Sequence, residues 1–237
     1  MLPPLRAIAV LAGALGALTA GAFALQAHDR EDRLPDADLT AQRYAVPRLA
    51  AGVPRGPRLQ RVAAATGIPA PAVRAYARAE LTAPRGCGVG WTTLAGIGYV
   101  ESHHGTLGGR SLLADGHSSS PILGPALDGR GDFAAIRSTP TSRALHGDPV
   151  WEHAVGPMQF LPGTWRLYAA DGDGDGDAEA LDLDDAAATA ARYLCSGGRD
   201  LHTSVGWEKA VLAYNHSGAY VDDVYAAASS YATRADR

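Results

Sequence analysis

Clusters of basic residues are missing from this sequence. Its 237 residues include 21 Lys and Arg against 25 Asp and Glu, a net charge of −4, and nowhere are the cations gathered as phosphate binding requires. Nucleic acid is therefore excluded as the expected partner. Convincing runs of alternating polar and apolar residues are missing too, so no sheet is expected. Neither an internal repeat nor a heptad series occurs, which removes solenoids and coiled coils. No histidine pair has the spacing of a helical zinc-protease site, and Gly116-His117-Ser118-Ser119-Ser120 lacks the final glycine of a nucleophile elbow. Cysteine is reduced to Cys87 and Cys195. What is there suits a folded globular protein: 46% hydrophobic and 19% charged residues, in a length that holds one large domain or two small ones.

The N-terminus carries Arg6 and then an uncharged apolar run over 7–25, rich in Ala, Leu and Gly. Residues 1–27 thus read as an export signal, with Ala20 and Ala22 or Ala27 near the cut, or as a retained membrane anchor. No cysteine lies near its end, which argues against a lipid anchor of the bacterial lipoprotein kind. Export puts the rest of the chain outside the cytoplasm. There, Cys87 and Cys195 are expected to pair, closing a loop of about a hundred residues worth roughly 4 to 5 kcal/mol by chain entropy. Two unpaired buried thiols are the alternative.

Residues 28–57 mix charges, prolines and small residues and read as a linker. A short helix is expected over 58–66, ended by Gly67, and a second, introduced by Pro69 and Pro71, runs to about Leu81. Its buried stripe is expected to be Val73, Tyr76, Ala77 and Leu81. Between 105 and 148 the composition shifts to Gly, Ser, Pro and Asp, which reads as an irregular cleft wall. Helical patterns resume over 164–170, 185–195, 206–217 and 219–232. The expected fold class is mainly α, one domain over 58–237.

The stretch from Trp91 to Gly105 draws most attention. Read as a helix, it sets Leu94, Ile97, Gly98 and Glu101 on one face, so a carboxyl points inward with apolar neighbours. A buried carboxyl is costly unless paired, hydrogen-bonded or neutralised by a raised pKa, and a raised pKa is what a general acid near neutrality needs. Glu101 is the catalytic candidate; the alternative is a half-buried glutamate satisfied by a neighbouring Arg or His. Asn215 follows Val211 and Leu212 on another apolar face, where its amide must be hydrogen-bonded or else caps the helix end. His103 and His104 read as surface or cleft polar residues.

An acidic stretch, Asp171-Gly-Asp173-Gly-Asp175-Gly-Asp177-Ala-Glu179-Ala-Leu-Asp182, has the ligand order of an EF-hand loop with glycine at its sixth position. Asp171, Asp173, Asp175, Asp177 and Asp182 are the expected ligands of a structural calcium ion. Asp182 stands where glutamate is usual and is one methylene short. Starting the loop at Asp173 would put Ala178 where the sharp turn needs glycine. A flexible acidic turn leading to a helix cap at Asp184 is the alternative.

Downstream of Val100-Glu101-Ser102 and Gly105, the run from Ala154 through Gly156-Pro157-Met158-Gln159-Phe160 to Trp165, and the run Ala213-Tyr214-Asn215-His216-Ser217-Gly218-Ala219-Tyr220, complete a pattern. In this order they resemble the lytic murein transglycosylases of the membrane-bound type B group, particularly exported actinobacterial versions, over roughly 68–231. The resemblance implies a lysozyme-like helical domain cleaving the β-1,4 bond between N-acetylmuramic acid and N-acetylglucosamine in peptidoglycan. It implies Glu101 as acid and base, with Ser102, Gln159, Tyr214, Asn215 and Tyr220 holding substrate. It also implies an EF-hand-like calcium site in the acidic loop, no organic cofactor, glycan strands as partner, action by a monomer, and a place in the cell wall or at the outer face of the cytoplasmic membrane. Glu152-His153 replaces the expected Asp-Arg, and Ser138-Thr139-Pro140-Thr141-Ser142 replaces an Asp-Gly-rich approach. Ordinary glycosidases use two carboxylates; here one is well placed, so the sugar's acetamido group would assist and the 6-hydroxyl would close a 1,6-anhydro ring. A hydrolytic muramidase and a non-catalytic wall-binding protein are the competing readings.

Overall fold

Helix α3 (Trp91–Ser102) has almost no polar face, and the rest of the chain covers it on nearly all sides. Trp91, Leu94, Ala95 and Ile97 are fully buried, as expected of a helix that is apolar all round and sits in the middle of a bundle. The computed structural model describes residues 44–45, 54–131 and 133–236. The expected export segment, and most of the expected linker, lie outside the described residues. Among those described, no helix is long and apolar enough to cross a membrane.

Eight α-helices occur among the described residues. Besides α3 they are α1 (Pro57–Thr66), α2 (Ala70–Thr82), α4 (Pro140–His146), α5 (Pro162–Tyr168), α6 (Leu183–Leu194), α7 (Ser204–Tyr214) and α8 (Gly218–Ala235). Helix α1 ends as expected at a left-handed Gly67, whose N–H bonds the Ala63 carbonyl at 2.8 Å. Strand pairing among the described residues is limited to isolated bridges such as Leu123 with Val155 and Val155 with Phe160. The mainly α class is as expected.

Helices α2 and α8 pack on α3, and α6 packs on α2. The α2–α6 contact uses small residues, with Ala72, Ala75, Ala79, Ala186, Ala187 and Ala190 all buried. At its edge Asp184, 1% exposed, is held by Arg74 at 2.9 Å and Arg78 at 3.2 Å. Losing both arginines would strand a buried charge, which costs far more than a surface pair is worth. Cys87 and Cys195 form a disulfide that ties the approach to α3 to the end of α6.

Two expectations need correcting. Leu81 does not close the α2 stripe: it is 51% exposed, while Val73, Tyr76 and Ala77 are buried. The next place on that face belongs to Glu80, whose carboxylate accepts the backbone N–H of Trp91 at 2.8 Å. It thereby caps α3, whose own N-cap is Gly90 without a side chain. The segment 105–148 is not irregular throughout, because α4 lies within it. Thr139 and Ser142 form a reciprocal capping box, Pro140 opens the helix and a left-handed Gly147 closes it. That pattern is legible in principle, but serine at the third position hides the box from a search for Glu or Gln.

Candidate active site

Glu101 lies at the C-terminal end of α3, 7% exposed. Its Oε1 accepts a hydrogen bond from the Tyr220 hydroxyl at 2.6 Å. Burial pushes its pKa up to about 8, and the Tyr220 bond offsets part of that rise. The carboxyl therefore keeps its proton at neutral pH. Burial holds the Tyr214 and Tyr220 phenols well above their ordinary range, with the nearby Glu101 adding to the effect. The alternative of an Arg or His partner does not apply, since the bonded partner is a tyrosine.

The turn after Glu101 is unusual. His103 and His104 both adopt left-handed backbone, with φ of 50° and 61°. Residues other than glycine pay about 1 to 3 kcal/mol for such conformations and hold them only where the surroundings insist. Among the described residues the only other case is Gln159, φ 50°, so all three sit around Glu101's end of α3 and the loop facing it. Ser102 bridges those two parts: its hydroxyl donates to the Pro157 carbonyl at 2.5 Å and accepts the Gly105 N–H at 2.8 Å. Ser102, expected to hold substrate, is fully buried, and both of its bonds go to the backbone of the chain.

Gln159 is half-buried in that loop, and its amide donates to the Gly156 carbonyl at 2.8 Å. The Tyr214 hydroxyl donates to the Met158 carbonyl at 2.8 Å. Its ring lies parallel to that of Tyr220, with centroids 6.5 Å apart, and edge-on to Phe160. Asn215 is 2% exposed and is also the residue at the end of α7, where its N–H bonds the Val211 carbonyl. The structure thus brings Glu101, Ser102, Gln159, Tyr214, Asn215 and Tyr220 together from α3, the 156–160 loop and the α7–α8 junction.

His104 is a correction. It is buried, 4% exposed, and its two ring nitrogens meet the hydroxyls of Tyr76 at 3.1 Å and Tyr231 at 2.9 Å. Burial lowers its pKa to about 3, so the ring is neutral. Sequence reading missed it because its partners are 28 and 127 residues away. The Glu152-His153 departure likewise proves to be built in. His146 and Glu152 pair at 2.5 Å, and His153 joins the Gly124 carbonyl at 2.8 Å to Asp148 at 3.0 Å. The His153 bond, helped by the Val150 and Trp151 amides, holds Asp148 below the usual carboxylate range.

In the acidic loop, carboxylate oxygens of Asp171, Asp173 and Asp185 lie within 4.8 Å of one another. Asp182 is not among them. It is the N-cap of α6, accepting the N–H groups of Asp184 at 2.6 Å and Asp185 at 3.2 Å, and it faces His117 at 3.4 Å. The expected twelfth ligand is thus spent on a helix start, and Asp185, one turn into α6, takes the inward place. The cap expected at Asp184 in the alternative reading sits at Asp182 as well. Asp175 and Asp177 lie outside the cluster; Asp175 accepts the Asp177 N–H at 2.9 Å. Burial raises the Asp185 pKa, and the charges of Asp173 and Asp171 add to the rise. The loop's far end presses on the site: Gly156, φ 80°, packs so closely on the Ala180 carbonyl that a Cβ would not fit.

Residues 142–211 match the sequence profile of the family described as the transglycosylase SLT domain. That stretch contains Gln159 but neither Glu101 nor Tyr220. No curated protein matches the chain. Among solved structures, the chain is similar to the Escherichia coli lytic transglycosylase Slt35 in complex with bulgecin A, at 17% identity and a TM-score of 0.46 over 78% of this chain and 77% of that one. The same enzyme in complex with calcium aligns at 16% identity and 0.44, over 84% and 82%. SltB3 from Pseudomonas aeruginosa, in complex with NAG-anhNAM-pentapeptide, aligns at 21% and 0.28, over 68% of this chain and 44% of that one. Residues 142–211, from α4 into α7, are thus similar to the transglycosylase SLT domain, while α1 to α3 and α8 lie outside the match.

Proposed function

We propose that this protein is a lytic transglycosylase of lysozyme-like fold that cleaves the β-1,4 bond after N-acetylmuramic acid in peptidoglycan and leaves 1,6-anhydromuramyl ends. The observation that carries this is the buried carboxyl of Glu101 at the end of α3, hydrogen-bonded by the Tyr220 hydroxyl and held by burial at a pKa of about 8. Protonated Glu101 donates to the glycosidic oxygen as the bond to C1 breaks. The muramic acetamido oxygen supports the cationic carbon. The Glu101 carboxylate then takes the proton of the 6-hydroxyl, whose oxygen bonds C1 and closes the anhydro ring, so no water is consumed. Gln159, Tyr214, Asn215 and Tyr220 orient the sugar and the carboxyl, and positioning of this kind is worth several kcal/mol, of order 7 to 11 in the best cases. The motif order matches the type B group, and the apolar N-terminal run supports action outside the cytoplasm.

The acidic loop fits a hard divalent cation such as calcium, because it offers carboxylate oxygens only. Asp171, Asp173 and Asp185 would hold it. Bound there, the ion supplies charge neutralisation and order to a loop that presses on Gly156; no proton moves through it.

Incubation of the purified protein with peptidoglycan, followed by mass analysis of the soluble muropeptides, tests the reading. Anhydromuramyl ends are expected. Reducing ends would make the protein a muramidase, and absence of any release would make it a binding protein.

A further inference from the structure

We infer that His104 is a positioning residue for Glu101: wedged between two tyrosines, it holds the end of α3 closed over the acid and keeps water from it. The inference rests on the proposed role of Glu101 as a proton donor.

Helix α3 ends in the two left-handed histidines, with the His103 N–H on the Tyr99 carbonyl at 2.9 Å and the His104 N–H on the Gly98 carbonyl at 2.8 Å. Glycine normally terminates a helix this way, because it alone adopts the conformation without strain. A histidine at each place means that the side chain supplies something glycine lacks. His103 lies stacked on Tyr99 and open to solvent. His104 is instead buried and bonded at both nitrogens, to Tyr76 of α2 and Tyr231 of α8.

Tyrosine hydroxyls serve as donor or acceptor, and burial keeps the ring between them neutral, so one nitrogen donates and the other accepts. The titratable and charged groups around the turn are Tyr76, Tyr99, His103, Tyr231 and Arg234; around Glu101 they are Tyr214 and Tyr220. None is a carboxylate that would charge the imidazole. The place for Tyr76 is reserved, since a Cβ on Gly98 would collide with its hydroxyl. Helix α8 thus meets the end of α3 twice, through Tyr220 on Glu101 and through Tyr231 on His104. The second contact does not touch the reacting groups. Its effect on chemistry passes through the turn that follows Glu101 and Ser102.

The test replaces His104 by Phe, which fills the space and loses both bonds, and by Gln, which reaches Tyr231 again. Glu101 is followed by carbon NMR of protein labelled at glutamate carboxyls, with Glu101→Gln identifying the signal, and by the pH profile of muropeptide release. In His104→Phe, water reaches the carboxyl, so its titration and the alkaline limb of kcat both move down by a pH unit or more. The same variant loses about tenfold in kcat with KM within twofold, and His104→Gln recovers at least half of the shift. The Cys87→Ser, Cys195→Ser protein serves as a control for lost stability, and its limb stays in place. An unmoved limb in His104→Phe, or an equal movement in the control, overturns the inference. If His104→Phe does not fold, Tyr231→Phe decides in the same way. The NMR arm needs no turnover, so a parent protein that releases no muropeptides sinks the proposed function and leaves this inference decided by titration alone.

Discussion

Glu101 keeps its proton because burial penalises the charged carboxylate by more than the Tyr220 hydrogen bond offsets, leaving the pKa at about 8. Two outcomes follow at the scale of this residue. Glu101→Gln keeps the shape and cannot donate a proton, so turnover falls by at least about a hundredfold, the usual contribution of general acid catalysis; a smaller loss in a muropeptide assay would remove the assignment. The same variant reports on stability. A carboxyl whose pKa is higher folded than unfolded stabilises the fold while protonated. That contribution is complete below about pH 4.5 and is lost as pH rises towards 8. Gln cannot lose it, so between pH 5 and 8 the variant gains on the parent, and calorimetry at pH 8 should show it melting higher by at least about 2 °C, the shift of roughly 1 kcal/mol in a domain of this size. Tyr220→Phe acts in the opposite sense to His104→Phe: it removes a donor to the carboxylate, so the alkaline limb moves above pH 8. A limb that moved down would mean that Tyr220 does not donate to Glu101. Residue-level legibility was uneven. Glu101 could be found by its helical spacing, because it shares a face of α3 with Leu94 and Ile97, which are buried. His104 could not, because Tyr76 and Tyr231 reach it from other helices.

The acidic loop and α6 illustrate how one element competes with another for side chains. Spacing alone assigns Asp182 to the ion, but α6 needs an N-cap, and a cap satisfies N–H groups that otherwise go unpaired at the helix start. The two roles separate by substitution. Asn caps as well as Asp, so Asp182→Asn should leave any calcium-induced rise in melting temperature nearly unchanged. Asp173→Ala and Asp185→Ala should abolish it. Calorimetry of demetallated protein with added calcium decides the matter: a shift lost in Asp182→Asn and kept in Asp185→Ala would restore the sequence register. Chelation should lower stability by mass action yet leave activity at low temperature. On α2 the same competition appears in milder form, with Glu80 occupying the place that hydrophobicity alone awards to Leu81.

Across the whole molecule, the disulfide links the approach to the Glu101 helix with the end of α6. Replacing Cys87 and Cys195 by Ser should lower the melting temperature by about 10 °C, given roughly 4 kcal/mol from a loop of this length. It should leave activity at low temperature, since neither sulfur is in the site; a fully inactive yet folded variant would place the bridge in the chemistry instead. Whatever depends on neighbours along the chain was legible in the residues: the helical class, most helix positions, the cap at Gly67, the inward face of Glu101 and the acidic loop. Each follows from period, turn chemistry or spacing, which are local. Which partners meet could be read only from the folded molecule: Tyr220 on Glu101, Ser102 on the Pro157 carbonyl, the tyrosines on His104 and Asp185 beside Asp171. Those choices depend on how helices far apart in the chain cross. A buried hydrogen bond is set by the angle and distance between two elements, and a one-dimensional pattern carries neither.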